Sequence, residues 1–151
     1  MVRRLFLVLA LLTAGCDTQP QFGNTDISAA GYANDFALTD HTGKHRTMAD
    51  FRGRAVVIFF GYTQCPDVCP TTMTGMAEAM KLLGGNSEKV QVLFVTVDPE
   101  RDTGKVLKTY TEFFDPRILG LTGSPALVRR AADNFRIRYA NPFNGGWSTP
   151  T

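Results

Sequence analysis

The sequence predicts an α/β protein, a parallel sheet with helices on both faces in three layers. Three observations carry that expectation. Two continuous apolar, β-branched runs, "AVVIFF" (55–60) and "KVQVLFVTVD" (89–98), have the composition of buried strands. Each is followed by a stretch with helix signals, and strand–helix alternation implies right-handed crossovers. A chain of 151 residues also suits one domain with a real core.

The elements follow in order. "MVRR", "LFLVLALL" and "TAGC" give a positive start, an apolar middle and small residues, the layout of a secretory signal over 1–16. The apolar run is too short for an ordinary spanning helix. Small residues running into Cys16 resemble a bacterial lipobox, whose cysteine is lipidated and heads the mature chain, although Thr13 stands where leucine is usual. An ordinary cleaved signal or an uncleaved anchor is the alternative. Residues 17–33 are polar, small and aperiodic, a flexible tether lifting a domain (34–151) off a membrane.

"DFALTDHTGKHRTMADF" alternates around a turn and predicts a β-hairpin. "AVVIFF" reads as a buried central strand. "CPTTMTGMAEAMKLLGG" reads as a helix stopped by Gly84 and Gly85. After the second buried strand come a helix in "TGKVLKTYTEFF", a short strand in "ILGLTG", and a helix opened by Ser124 and Pro125. "RIRYA" reads as the start of one more strand.

Charge excludes some functions. Without Arg3 and Arg4 the chain is formally neutral, with 14 acidic residues against as many basic ones, so it has no basic stripe for nucleic acid. No phosphate-binding loop or catalytic triad is present. The chemistry concentrates in "GYTQCPDVCP" (61–70), where Cys65 and Cys69 lie just past a strand end and at a helix start, the place where α/β sheets collect their sites. A helix N-terminus favours negative charge and lowers thiol pKa values. Pro66 and Pro70 stiffen the loop. Two thiolates form a soft site suited to Cu(I) or zinc. A structural zinc wants four ligands, and the only histidines, His41 and His45, fall in the predicted hairpin. A purely structural disulfide would close a tiny loop and restrict the unfolded chain little. Copper binding and thiol–disulfide exchange therefore both stay open.

Three blocks then resemble one family. "FFGYTQCPDVCPTT", "FVTVDPERDT" and "FFDPRILGLTGS", with "LTDHTGK" and "DFRGR", are similar to the Sco/SenC proteins over roughly residues 34–140. The resemblance implies a thioredoxin-like three-layer fold with an N-terminal β-hairpin. It implies a membrane-anchored copper chaperone that delivers Cu(I) for assembly of the cytochrome c oxidase copper site. Cys65 and Cys69 match the family's copper-ligand cysteines; Asp67 falls inside the motif, and Asp98 with Pro99 matches its "DP". The implied partner is a cytochrome c oxidase copper-site subunit or another copper protein. The implied location is the periplasmic face of the bacterial inner membrane, with lipid on Cys16 or an N-terminal segment as anchor.

One family feature is missing. The third ligand, a histidine beyond "RIRYA", has no counterpart, since no histidine follows His45 and the chain ends "NPFNGGWSTPT". The fold is therefore expected to lack its final β-hairpin and terminal helix and to leave a sheet edge exposed. That puts imidazole ligation and Cu(II) binding in doubt and makes an inactive, truncated fragment a further reading. A thiol–disulfide oxidoreductase, which needs only the dithiol as a redox-active pair, is the rival function.

Single residues divide as follows. His41 and His45 are expected in turn or surface roles. Met73, Met76 and Met80 continue the cysteine spacing and are expected as core fillers, with Met73 the one candidate soft ligand. Asp98 either polarises the site or caps its turn. The charges of "DPERDTGK" are expected in a solvated loop, and Trp147 as an exposed aromatic.

Overall fold

The computed structural model describes residues 23–140. The chain divides into two units, Met1–Ala30 and Gly31–Thr151. The described part of the first is a turn in which the Asp26 carboxylate accepts the Ser28 amide at 2.9 Å and hydroxyl at 2.6 Å. The signal, Cys16, the first part of the tether and Trp147 with its Gly-rich surroundings lie outside the described residues.

The second unit runs β1 (Leu38–Asp40), β2 (His45–Arg46), β3 (Ala55–Gly61), α1 (Val68–Leu82), β4 (Val90–Thr96), α2 (Gly104–Phe114), β5 (Leu119–Thr122) and α3 (Pro125–Asn134). Short 3-10 turns occupy Met48–Phe51 and Gly84–Lys89. The five-stranded sheet has the order β2-β1-β5-β4-β3. Strands β3, β4 and β5 are parallel, and the hairpin joins through β1, antiparallel to β5.

The hairpin turns where Asp40 permits it. One Asp40 oxygen accepts the Thr42 amide (2.8 Å), the Thr42 hydroxyl (2.6 Å) and the Lys44 amide (3.0 Å); the other accepts Arg46 Nε at 2.8 Å. Short carboxylates serve turns this way. Both later helices begin on side-chain caps. Thr103 accepts the Val106 amide ahead of α2, and Ser124 accepts the Leu127 amide ahead of α3, with Pro125 in its first turn.

Alternation along β4 divides the core. Leu93 and Val95 pack with Leu38, Phe51, Leu121, Val128 and Ala131 on the α3 side. Phe94 and Val92 pack with Met73, Met80, Leu107 and Ile118 under α1 and α2. The result is three layers, each buried aliphatic or aromatic side chain contributing about 1.5–3 kcal/mol. Strand β4, paired on both sides between β5 and β3, is the most buried strand.

Two expectations change. Strand β3 lies at the sheet edge rather than its centre among the described residues, and Val57 is 38% exposed. An apolar run reports cover on the two faces, not position in the sheet. Val56, Ile58 and Phe60 pack on one face and Phe59 on the other, while the backbone ladder runs to β4. "RIRYA" forms no strand among the described residues, only a bridge at Ala140, the last of them. Its first residues finish α3: the Ile137 amide donates to Ala132 O (2.8 Å) and the Arg136 amide to Asp133 O (3.1 Å). Arg136 takes φ +56° there, the left-handed C-terminal position that usually falls to glycine. The expectation that the final hairpin and terminal helix are lacking concerns residues beyond Ala140, outside the described ones.

Candidate metal centre

Strand β3 ends at Gly61, residues 62–67 form a loop, and α1 starts at Val68 with Asp67 as its N-cap. The Asp67 side chain makes no capping bond. Instead the Cys65 sulfur accepts the Cys69 amide at 3.4 Å. That amide belongs to the first turn, where no intrahelical acceptor exists. Cys65 thus caps the helix on which Cys69 rides, and this bond brings the two cysteines together.

Both thiols are free, with Cys65 9% and Cys69 4% exposed. The exposed residues around them are Gln64, Pro66, Asp67 and Val68. The expectation that both thiols acidify divides. Burial raises the Cys65 pKa, but hydrogen bonds from the Cys69 thiol, the Cys69 and Asp67 amides and the Tyr62 hydroxyl outweigh it, so the net direction is down. Cys69 goes up, first through burial and then because Cys65 takes the negative charge. The first proton leaves from the Cys65 side and the second is retained by Cys69.

Gly61 makes room for this arrangement. A Cβ there would sit 3.1 Å from Cys69 Sγ and 3.0 Å from the Phe94 ring. Beneath the loop, the buried carboxylate of Asp102 accepts from Thr63 and Thr96. Sequence reasoning passed over Gly61, Tyr62, Thr63, Thr96 and Asp102. The signal available was the set of small and short polar residues at the ends of two apolar strands.

The remaining candidates go elsewhere. His41 Nδ1 accepts the Gly120 amide at 3.1 Å and so ties the hairpin to β5; His45 shares an exposed hydrogen bond with Thr39. Met73 is fully buried in the core, with Met80 beside it. Asp98 is buried in its turn: its amide donates to Thr96 Oγ1 (2.9 Å) and its carboxylate pairs with Arg101 (3.0 Å). Asp98 and Asp102 are thus not part of a solvated loop: both are buried, Asp102 accepting the Thr63 and Thr96 donors on its carboxylate and Asp98 accepting the Arg101 and Asp102 amides on its carbonyl oxygen. Among the described residues no group of three or more His, Cys, Asp or Glu side chains converges on a metal position. Among the described residues the two cysteine sulfurs are the whole donor set there. Such a set suits a soft monovalent ion of low coordination number, or a single disulfide.

A parallel βαβ core joined by an antiparallel strand, with a dithiol where the first helix begins, defines the thioredoxin-like class. The SCO1/SenC family model matches residues 24–147, and the chain belongs to that family. A mitochondrial SCO2 homolog of Mus musculus is 43% identical over 114 residues, covering 74% of this chain and 45% of that relative. The chain thus spans less than half of the mouse protein's length. ScoI of Bradyrhizobium japonicum, solved with copper bound, is 40% identical, with a TM-score of 0.68 over 75% of this chain and 73% of that one. Yeast Sco1 with copper bound is 36% identical, also with a TM-score of 0.68, covering 73% of this chain and 61% of that one.

Proposed function

We propose that the protein is a copper chaperone that holds Cu(I) between Cys65 and Cys69 and hands it to the copper-site subunit of cytochrome c oxidase. The observation that carries this reading is the pair of free thiols brought together at the start of α1, where the Cys69 amide donates to the Cys65 sulfur, in a chain of the SCO1/SenC family. Copper in the ScoI and Sco1 relatives supports it. Cu(I) as cargo displaces the thiol protons. Cys65, the more acidic, ligates first, and Cys69 gives up its proton as the ion reaches it. A partner thiol then replaces one sulfur at a time, and the exposed loop around Asp67 and Val68 is the docking surface.

In this reading residues 1–16 are a lipoprotein signal, 17–33 a tether and 34–151 the copper domain. Lipid on Cys16 holds the domain at the periplasmic face of the inner membrane. Among the described residues no helix is long and apolar enough to cross a membrane. The test loads reduced protein with Cu(I) beside a Cys65→Ala, Cys69→Ala double variant. The wild type retains one ion per chain and the variant none; equal retention overturns the reading.

The unlike thiols favour one second reading, a thiol–disulfide oxidoreductase. An acidic Cys65 would attack a substrate disulfide and a proton-bearing Cys69 would resolve the mixed disulfide. Turnover on a model disulfide substrate, lost in Cys65→Ser, supports it, and absence of turnover removes it.

A further inference from the structure

We infer that Asp102 is a positioning residue for the dithiol, acting through Thr63 on the loop that carries Cys65. Asp102 lies between β4 and α2 and is 1% exposed. Its Oδ1 accepts the Thr63 hydroxyl at 2.5 Å; its Oδ2 accepts the Thr63 amide at 3.0 Å and the Thr96 hydroxyl at 2.6 Å. The Asp102 amide donates to Asp98 O at 2.9 Å, which anchors the carboxylate to its own turn.

These bonds do little for the sheet. Strands β3 and β4 already pair in register from Ala55–Val90 to Gly61–Thr96, and the Val97 amide extends the ladder to Gly61 O at 2.8 Å. Thr63 lies beyond the ladder and two residues before Cys65. The loop is fixed by Asp102 at Thr63 and by the Cys69 amide at Cys65, while Gln64, Pro66 and Asp67 between and after them are exposed. Without the Asp102 tether the loop spreads, and the two sulfurs lose their preset separation although the fold remains. Chelation and disulfide closure both depend on that preset separation.

The copper arm of the test rests on the chaperone reading; the second arm does not. The full chain is compared with Asp102→Asn, which turns one acceptor oxygen into a donor, with Thr63→Val, which removes one hydroxyl, and with Thr63→Ser, which keeps it. The first arm measures Cu(I) affinity by competition with a chromophoric chelator, at a temperature where each variant is folded. The second measures the equilibrium with glutathione: the two protein thiols and one glutathione disulfide give one protein disulfide and two glutathione thiols. Asp102→Asn and Thr63→Val weaken Cu(I) binding about 10–100-fold, as loss of an outer hydrogen-bond partner does. They lower the glutathione equilibrium constant on the order of tenfold, and Thr63→Ser stays at wild type.

Wild-type values in both arms for folded Asp102→Asn and Thr63→Val overturn the inference and leave Asp102 a residue of stability alone. If Asp102→Asn does not fold, Thr63→Val decides by the same criterion. A wild type that holds no Cu(I), with a shifted glutathione constant in the variants, overturns the chaperone reading and supports the positioning role.

Discussion

The amide of Cys69 points at the sulfur of Cys65, 3.4 Å away, so one cysteine caps the helix that carries the other. This makes the pair chemically unequal. Cys65 is the thiol whose charge the helix start and the Tyr62 hydroxyl favour, and Cys69 is the one that burial keeps protonated.

Alkylation therefore has an order. Near neutral pH, limiting iodoacetamide labels Cys65 ahead of Cys69 by about tenfold or more, because the thiolate is the nucleophile. Peptide mass spectrometry of briefly labelled protein reads the ratio. Equal labelling would show that the two thiols share one environment.

The fold was largely legible because periodicity and caps are local. "AVVIFF" and "KVQVLFVTVD" could only be strands, and Ser124 with Pro125 marks a helix start whatever surrounds it. The two cysteines were legible as a pair because four-residue spacing at a helix start brings side chains together. Relations across the chain were not. Nothing local distinguishes β3, at the edge among the described residues, from β4 in the interior, since both are apolar on both faces. Asp102 reads as one more charge in "DPERDT" until the fold sets it beside Thr63, 39 positions away. The burial of Cys69 likewise depends on Gly61 and Phe94 meeting it across the strand end.

Met73 tests whether the buried methionine one turn past Cys69 packs or ligates. It is fully buried between the sheet and the helices. Met73→Leu conserves volume and costs less than about 1.5 kcal/mol with Cu(I) affinity unchanged, whereas Met73→Ala costs about 2–5 kcal/mol. Urea unfolding with a copper competition assay separates the two roles; a loss of affinity in Met73→Leu would make the thioether a ligand.

Asp40 links the hairpin to acid stability. Burial raises its pKa, but the Thr42, Arg46 and Lys44 donors outweigh that and hold it at about 2. A carboxylate with a depressed folded pKa stabilises above its unfolded value and loses that contribution as pH falls through the folded one. The window runs from about pH 4 down to about pH 2, and the contribution at neutral pH is on the order of 2.5 kcal/mol. Asp40→Asn lowers neutral stability by up to about that amount and flattens the acid limb of a stability–pH curve. A curve parallel to wild type between pH 4 and 2 contradicts the linkage.

Gly61 joins packing to the dithiol most directly. Any side chain there projects toward Cys69 Sγ, the Phe94 ring and the Phe59 ring, each 3.0–3.1 Å from an added Cβ. Phe94 is fully buried and held between the tilted rings of Phe59 and Tyr110, so it has little freedom to retreat. Cys69 is the neighbour that moves, and it moves away from the strand end that shelters it. Gly61→Ala then costs about 1–3 kcal/mol through overpacking. It also raises the alkylation rate of Cys69, because a displaced thiol is a more exposed one. Gly61→Ala protein with wild-type stability and an unchanged Cys69 labelling rate would mean that the core yields elsewhere and the glycine does not set the cysteine's place.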